Sequence, residues 1–277
     1  MICNNDEGFK DEWALILGAS SGMGAASAIE LAKCGMNIFG VHLDRKSTMP
    51  NAEAVIKAIQ DCGAQAEFFN LNAAEAQNRK VVLDKVEQML KPEGKPLRLL
   101  LHSLAFGSVR PFIAKTANER ITQAQLEMTM DVMANSLVYW TQEAVERGLI
   151  GHGSRIIAMT SAGGERVWPY YGAVSAAKAA VESYIRQLAF ELSPMGVTCN
   201  ALRAGVTDTP ALRKIPDHEI MIQFSKARNP MGRLTTPQDV ANAVVLLTSA
   251  RSQWITGNVI GVDGGEFIVD CGHLDRC

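Results

Sequence analysis

The chain lacks any C-x-x-C pair. Its six cysteines (Cys3, Cys34, Cys62, Cys199, Cys271, Cys277) are scattered through segments that read as core, which predicts free thiols in a reducing compartment and hence a cytoplasmic protein. It also lacks an excess of either charge. The 27 Lys and Arg face 29 Asp and Glu, so no net field gathers nucleic acid or anionic lipid around the molecule, and a small-molecule partner fits better. No apolar run reaches the roughly 18 residues that a bilayer span requires. The N-terminus, with Asn4, Asn5, Asp6 and Glu7, has no basic region followed by an apolar stretch, so neither a membrane nor secretion is expected. Repeats, low-complexity tracts and linkers are missing from 277 residues that are 47% apolar, which predicts one domain spanning 1–277.

What the chain does have is an alternation of short apolar, β-branched runs with longer segments of helical period, the pattern of parallel strands joined by crossover helices. Strands are predicted at 13–17, 37–42, 66–71, 97–102, 155–160, 198–202 and 259–262, and helices at 22–34, 52–62, 75–90, 122–147, 173–192 and 237–248. The expected fold class is α/β: a single doubly wound Rossmann-type domain, a seven-stranded parallel sheet flanked by helices. Residues 207–234, weakly periodic and carrying Pro210, Pro216 and Pro230, read as a substrate flap with short helices, and 271–277 as a frayed tail.

Between the first strand and first helix lies Gly18-Ala19-Ser20-Ser21-Gly22-Met23-Gly24. Glycines there let the backbone turn tightly and approach a pyrophosphate held by free helix N–H groups, so the segment reads as a cofactor cradle. Its glycine spacing differs from G-x-G-x-x-G and resembles the short-chain dehydrogenase/reductase superfamily. Asn135, Ser161, Lys178, the run 204–209 and Gly261-Val262-Asp263-Gly264-Gly265 extend that resemblance over essentially the whole chain. The resemblance implies a nicotinamide cofactor and a homotetramer.

Ordinary members carry a catalytic tyrosine four residues before the lysine, and here that slot is Val174. A valine cannot move a proton, so either the chain is inactive or the acid comes from elsewhere. Tyr171, seven residues before Lys178, returns to within roughly 20° of the same helical face, whereas Tyr170 lies about 80° away. Both tyrosines could also simply line the helix entrance after Pro169. The Tyr-x6-Lys spacing, with Leu101-His102-Ser103-Leu104-Ala105-Phe106-Gly107 at the end of the fourth strand, is similar to the enoyl-acyl-carrier-protein reductases, enoyl reductase III most of all. Other enoyl reductases place a second tyrosine ten residues before the first. Here that position is Ser161, as in ordinary dehydrogenases.

The resemblance implies reduction of a 2-enoyl thioester carried by acyl carrier protein or coenzyme A, with Tyr171 bonding the thioester oxygen as charge develops there, Ser161 assisting, and Lys178 on the nicotinamide ribose. Small neighbours Ala176, Ala177, Ala179 and Ala180 point to close packing around Lys178. Asn135 is open between a water-linked proton path and a backbone bond in the core. Cofactor choice turns on the loop after the second strand, where His42 and Asp44 precede Arg45 and Lys46. Two adjacent cations can clamp a 2′-phosphate, favouring NADPH over NADH. Asn72 resembles the family's adenine-binding polar residue, or caps a helix. Ser103, Gly205, Thr207 and Thr209 complete the expected cofactor contacts, although the two threonines could instead cap the flap. Cys271, His273 and Cys277 lack a fourth ligand of suitable spacing, so no metal is expected, and the twelve methionines read mainly as core filler. Two other readings stand beside the enoyl reductase: a carbonyl or hydroxyl oxidoreductase, supported by Ser161 and Asn135, and a non-catalytic NADP-binding sensor, suggested by Val174.

Overall fold

The structure, a computed structural model, describes residues 8–270. Seven parallel strands form one sheet in the order β3-β2-β1-β4-β5-β6-β7: β1 Trp13–Leu17, β2 Asn37–His42, β3 Ala66–Asn70, β4 Leu99–His102, β5 Arg155–Ser161, β6 Thr198–Ala204 and β7 Val259–Val262. The helices are α1 Gly22–Lys33, α2 Met49–Asp61, α3 Ala76–Leu90, α4 Gln123–Met130, α5 Ser136–Glu146, α6 Gly172–Leu192, α7 His218–Arg228 and α8 Pro237–Thr248. This is the doubly wound Rossmann-type domain that the alternation of runs predicts.

Strand alternation splits the interior into two cores. Trp13, Leu15 and Leu17 of β1 face α3, α5 and α6, where they meet Val82, Leu137, Trp140 and Val181. Ala14 and Ile16 face the opposite layer, against Ala28 and Leu31 of α1, Val55 and Ile59 of α2, and Val240 and Val244 of α8. Strand order reverses between β1 and β4, whose pairing runs from Ala14↔Leu99 to Leu17↔His102. The loops leaving these two strands therefore diverge and open a crevice at the carboxyl edge, the usual binding place in such sheets.

The boundaries differ from the expected ones for local reasons. Leu97 donates its N–H to Leu149 rather than to the sheet, so β4 starts two residues late. β6 runs on to Ala204 because Arg203 and Ala204 pair with Gly261 and Val262. α2 starts early, since Pro50 in its first turn gives up an N–H that needs no helical partner. The single helix expected over 122–147 is interrupted by a π turn at Asp131–Asn135, which inserts a residue that a 3.6-residue period cannot register. Cys62 and Cys199 are free, but Cys34 is disulfide-bonded, which corrects the expectation of free thiols there. Spacing along the chain does not say which thiols meet in space. No helix among the described residues is long and apolar enough to cross a membrane.

Ile157, 1% exposed in the middle of β5, should set the scale of core stability. Ile157→Ala is expected to lower the unfolding free energy by about 3 kcal/mol in urea denaturation.

Candidate active site

The last three residues of β5 assemble the centre of the site. Met159 offers its carbonyl oxygen to Lys178 Nζ at 2.7 Å, Thr160 donates its hydroxyl to Glu182 Oε1 at 2.7 Å, and Ser161 accepts from the Gly163 N–H at 3.3 Å. Lys178 and Glu182 stand one turn apart on α6, so the helix is fastened to the strand by two polar contacts in a setting where both side chains are buried. α6 begins at Gly172, and Tyr171 is its N-cap, with a carbonyl that accepts from the Ser175 N–H at 2.8 Å. Its ring lies on Gly163, where a Cβ would stand 2.4 Å from a ring carbon, so only glycine admits the tyrosine in this position. Tyr170 adopts φ 66°, is 42% exposed and does not line the cavity described below.

A cavity of about 810 Å³ opens here, lined by Tyr171, Lys178 and Ser161 together with Ser103, Gly205, Thr207, Thr209 and Met23. The remaining wall is largely apolar: Phe106, Val109, Met133, Met159, Leu212 and Phe224 contribute, the last two from the flap. Val174, in the ordinary tyrosine slot, is buried and packs towards Gly107, whose added Cβ would lie 3.1 Å from it.

Electrostatics at the centre follow from burial. Desolvation pushes the Tyr171 phenol up, only partly opposed by a hydrogen bond from Ser161, so the hydroxyl keeps its proton through neutral pH. Desolvation pulls Lys178 down to about 8, with the Glu182 carboxylate acting against it. His102, at the end of β4, is held down to about 3 by burial and by the Lys178 charge, and is therefore neutral. Ser136 spends its proton on the Val132 carbonyl, so at 2.8 Å its oxygen accepts from His102 Nε2–H, leaving Nδ1 a bare, buried, unpartnered acceptor. Asn135 turns away from the cavity: it accepts from the Tyr184 hydroxyl at 2.9 Å and donates weakly to Asp131 at 3.5 Å. Its side chain meets other side chains, so the backbone bond of the second reading is not formed.

The cofactor cradle fits an anion. Gly18 holds φ 91°, and a Cβ there would stand 2.5 Å from the Ser103 carbonyl oxygen, so the loops leaving β1 and β4 touch only because glycine is present. Ser21 caps α1 without a side-chain bond, and no acidic residue occupies the first turn, which leaves the N–H groups of Gly22, Met23 and Gly24 unclaimed by side chains. Ser20 bonds Asp44. Although burial alone raises that carboxyl, hydrogen bonds from Ser20, Thr48 and His42 hold it below the usual carboxylate range. His42 Nδ1 lies 2.9 Å from Asp44 Oδ2, while Arg45 and Lys46 are exposed and unpaired among the described residues. Asn72 accepts from the Ala74 N–H and donates to Glu75, so its side chain serves the turn before α3. Thr207 bonds the Gly205 carbonyl and Thr209 accepts from Leu212, both local caps of the flap. No group of three metal-ligating side chains occurs among the described residues, and Cys271, His273 and Cys277 lie outside them.

The sequence reading gave no role to His102, Glu182 or Thr160. Glu182 was discoverable as the one acid one turn beyond Lys178 on a small-residue face. The bare His102 nitrogen has no such sequence signal, because it depends on where Ser136 sends its proton.

Burial of Lys178 has a measurable sign. Its folded pKa lies below that of the unfolded chain, so the unfolded state binds more protons between the two values and the penalty is relieved as pH rises through about 8. The unfolding free energy of the wild type relative to Lys178→Met is expected to rise by about 2 kcal/mol between pH 8 and 10, as read by urea denaturation at both values.

Comparison with known proteins gives the family. A family model described as Enoyl-(Acyl carrier protein) reductase matches residues 18–266. The chain is 30% identical over 264 residues to an NADPH-dependent aldehyde reductase-like protein of Arabidopsis thaliana, covering 91% of this chain and 93% of that protein. It is 26% identical to the 1-cyclohexenylcarbonyl-CoA reductase of Streptomyces collinus, covering 92% and 87%. Among solved structures, FabI from Candidatus Liberibacter asiaticus superposes with a TM-score of 0.83 at 23% identity, covering 96% of this chain and 99% of that one. The chain therefore belongs to the enoyl-(acyl carrier protein) reductase family and is an oxidoreductase of the short-chain dehydrogenase/reductase superfamily.

Proposed function

We propose that the protein reduces the carbon–carbon double bond of 2-enoyl thioesters. The observation that carries this reading is the placement of Tyr171 beside Ser161 and Lys178 on one largely apolar cavity, while buried Val174 occupies the slot of the ordinary tyrosine. Bound reduced nicotinamide supplies the hydride. The residues of this chain supply the rest: Tyr171 donates a hydrogen bond to the thioester oxygen, strongest when that oxygen carries the charge of an enolate, and so acts where binding accelerates reaction. Lys178 contributes a positive field beside the phenol, and Met159 and Glu182 hold its ammonium in place. Apolar residues of the flap exclude water from the acyl group. The fatty acyl chain can be delivered on acyl carrier protein or on coenzyme A.

A second reading, reduction of a carbonyl group, is favoured by one contact: Ser161 bonds Tyr171, the hydroxyl pairing that such chemistry also uses. The two separate on substrates. The first expects turnover of crotonyl and longer 2-enoyl thioesters with little on 3-oxoacyl thioesters, and the second expects the reverse. Tyr171→Phe should lower kcat on enoyl substrates by about 100-fold, whereas Tyr170→Phe should stay within about twofold. Loss of reduced-nicotinamide absorbance reads both.

NADPH is the preferred cofactor on this reading, because Arg45 and Lys46 stand exposed and unpaired after β2, and the Arabidopsis relative is NADPH-dependent. Asp44 stays ionised and repels a phosphate, but Arg45 and Lys46 set two cations against that one anion. Arg45→Ala should shrink the ratio of kcat/KM for NADPH over NADH by about tenfold, the loss of one charge-assisted contact.

A further inference from the structure

Among the described residues, four buried nitrogen donors without an acceptor gather beside the substrate cavity: Arg166 Nη1, Trp168 Nε1, Arg203 Nε and Arg228 Nε. Each such donor costs about 1–3 kcal/mol if nothing ever pairs with it, so a cluster of four calls for acceptors brought from outside. Three of the four side chains, Arg166, Trp168 and Arg228, line the cavity.

All three arginines are fastened at the same short segment. Arg166 donates to the Phe267 carbonyl, and Arg228 Nη2 pairs with Glu266 Oε1 at 3.2 Å. The guanidinium carbons of Arg166 and Arg203 lie 4.4 and 3.6 Å from the centroid of the Phe267 ring, so two like charges share one aromatic ring. The carboxylates nearby are spoken for: Glu165 takes Arg203, and Glu266 takes Arg228 and the Val206 N–H. Asp263 is likewise engaged, accepting from the Gly265 and Phe267 N–H groups, so three carboxylates stand against the three arginines, while Lys214 and Asp270 on the cavity wall offset one another. Trp168 belongs to the turn that ends at Tyr171, whose N–H donates to the Trp168 carbonyl at 3.2 Å. Trp168 thus stands within one turn of the proposed proton donor, in a cavity whose other walls are largely apolar.

We propose that Arg166, Trp168 and Arg228 form an anion subsite of the substrate cavity, taking a carboxylate or phosphate group carried by the thioester substrate. The proposal rests on the enoyl-thioester reading and narrows it. The shared chemistry is an oxyanion held by guanidinium and indole N–H donors. Its source is either a carboxylate on the acyl group or a phosphate on the carrier.

Four thioesters separate these sources: 2-pentenoyl and glutaconyl esters, of equal chain length and differing in a terminal carboxylate, each on coenzyme A and on phosphate-free N-acetylcysteamine. An advantage in kcat/KM of about tenfold or more for glutaconyl on both carriers assigns the subsite to the acyl carboxylate. The same advantage for coenzyme A with both acyl groups assigns it to the carrier phosphate. In either case Arg166→Gln should collapse the advantage to about twofold or less. Equal rates for all four with the wild-type protein overturn the subsite. If no thioester is turned over, the enoyl reading fails, and the subsite is judged on binding. Titration of the cofactor-loaded protein with glutarate and with inorganic phosphate should then give a saturable change in tryptophan emission, absent in Trp168→Phe and in Arg166→Gln. No change in the wild type overturns the proposal.

Discussion

The constraint on which the site depends is the burial of the Lys178 ammonium. An ammonium taken out of water must be paid in contacts, and here one N–H is satisfied by the Met159 carbonyl while Glu182 supplies the opposite charge. Both partners come from rigid elements, β5 and α6, so the lysine cannot move without sliding the helix along the strand. The same fastening fixes where α6 begins. Tyr171 is set at its N-cap, seven residues before the lysine, over a glycine that leaves room for the ring.

Most of the fold was legible because its signals are local. β1, β2 and β7 and helix α8 fall where period and composition place them, and β3 and β5 miss by one residue. The failures occurred where hydrogen bonds leave the regular pattern: Leu97 paired with Leu149, and a π turn was inserted before Asn135. That turn also changes the fate of Asn135. On an unbroken helix it could be placed on a face by counting, but with one residue inserted it meets Tyr184 and Asp131 instead.

The site itself was legible in part. Tyr171, Ser161, Lys178 and Ser103 come together on one cavity from three segments that spacing and strand ends had already marked. Asn72, Thr207 and Thr209 make local cap bonds, as short polar side chains beside helix starts often do, and the two threonines also line the cavity. The unpaired donors of Arg166, Trp168 and Arg228 could not have been found by reading along the chain. Their significance lies in an acceptor that is missing, and that is visible only when every neighbouring carboxylate has been assigned to a partner.

Burial moves the two principal groups in ways that suit one another. Tyr171 is pushed up and remains a phenol, while Lys178 is drawn down towards neutrality yet keeps its proton at pH 7. A donor that holds its proton strongly is a poor acid in the resting site. On the proposed reading it becomes effective only when negative charge arises on the bonded oxygen, with the Ser161 hydroxyl bonded to the phenol to stabilise charge left there. Neutral His102 adds no second cation to compete for that charge, because burial and Lys178 together keep its proton off. On the proposed reading the arrangement therefore concentrates its response on a single event, the appearance of an oxyanion next to Tyr171, and recognition of the rest of the substrate falls to the apolar walls and the unpaired donors around them.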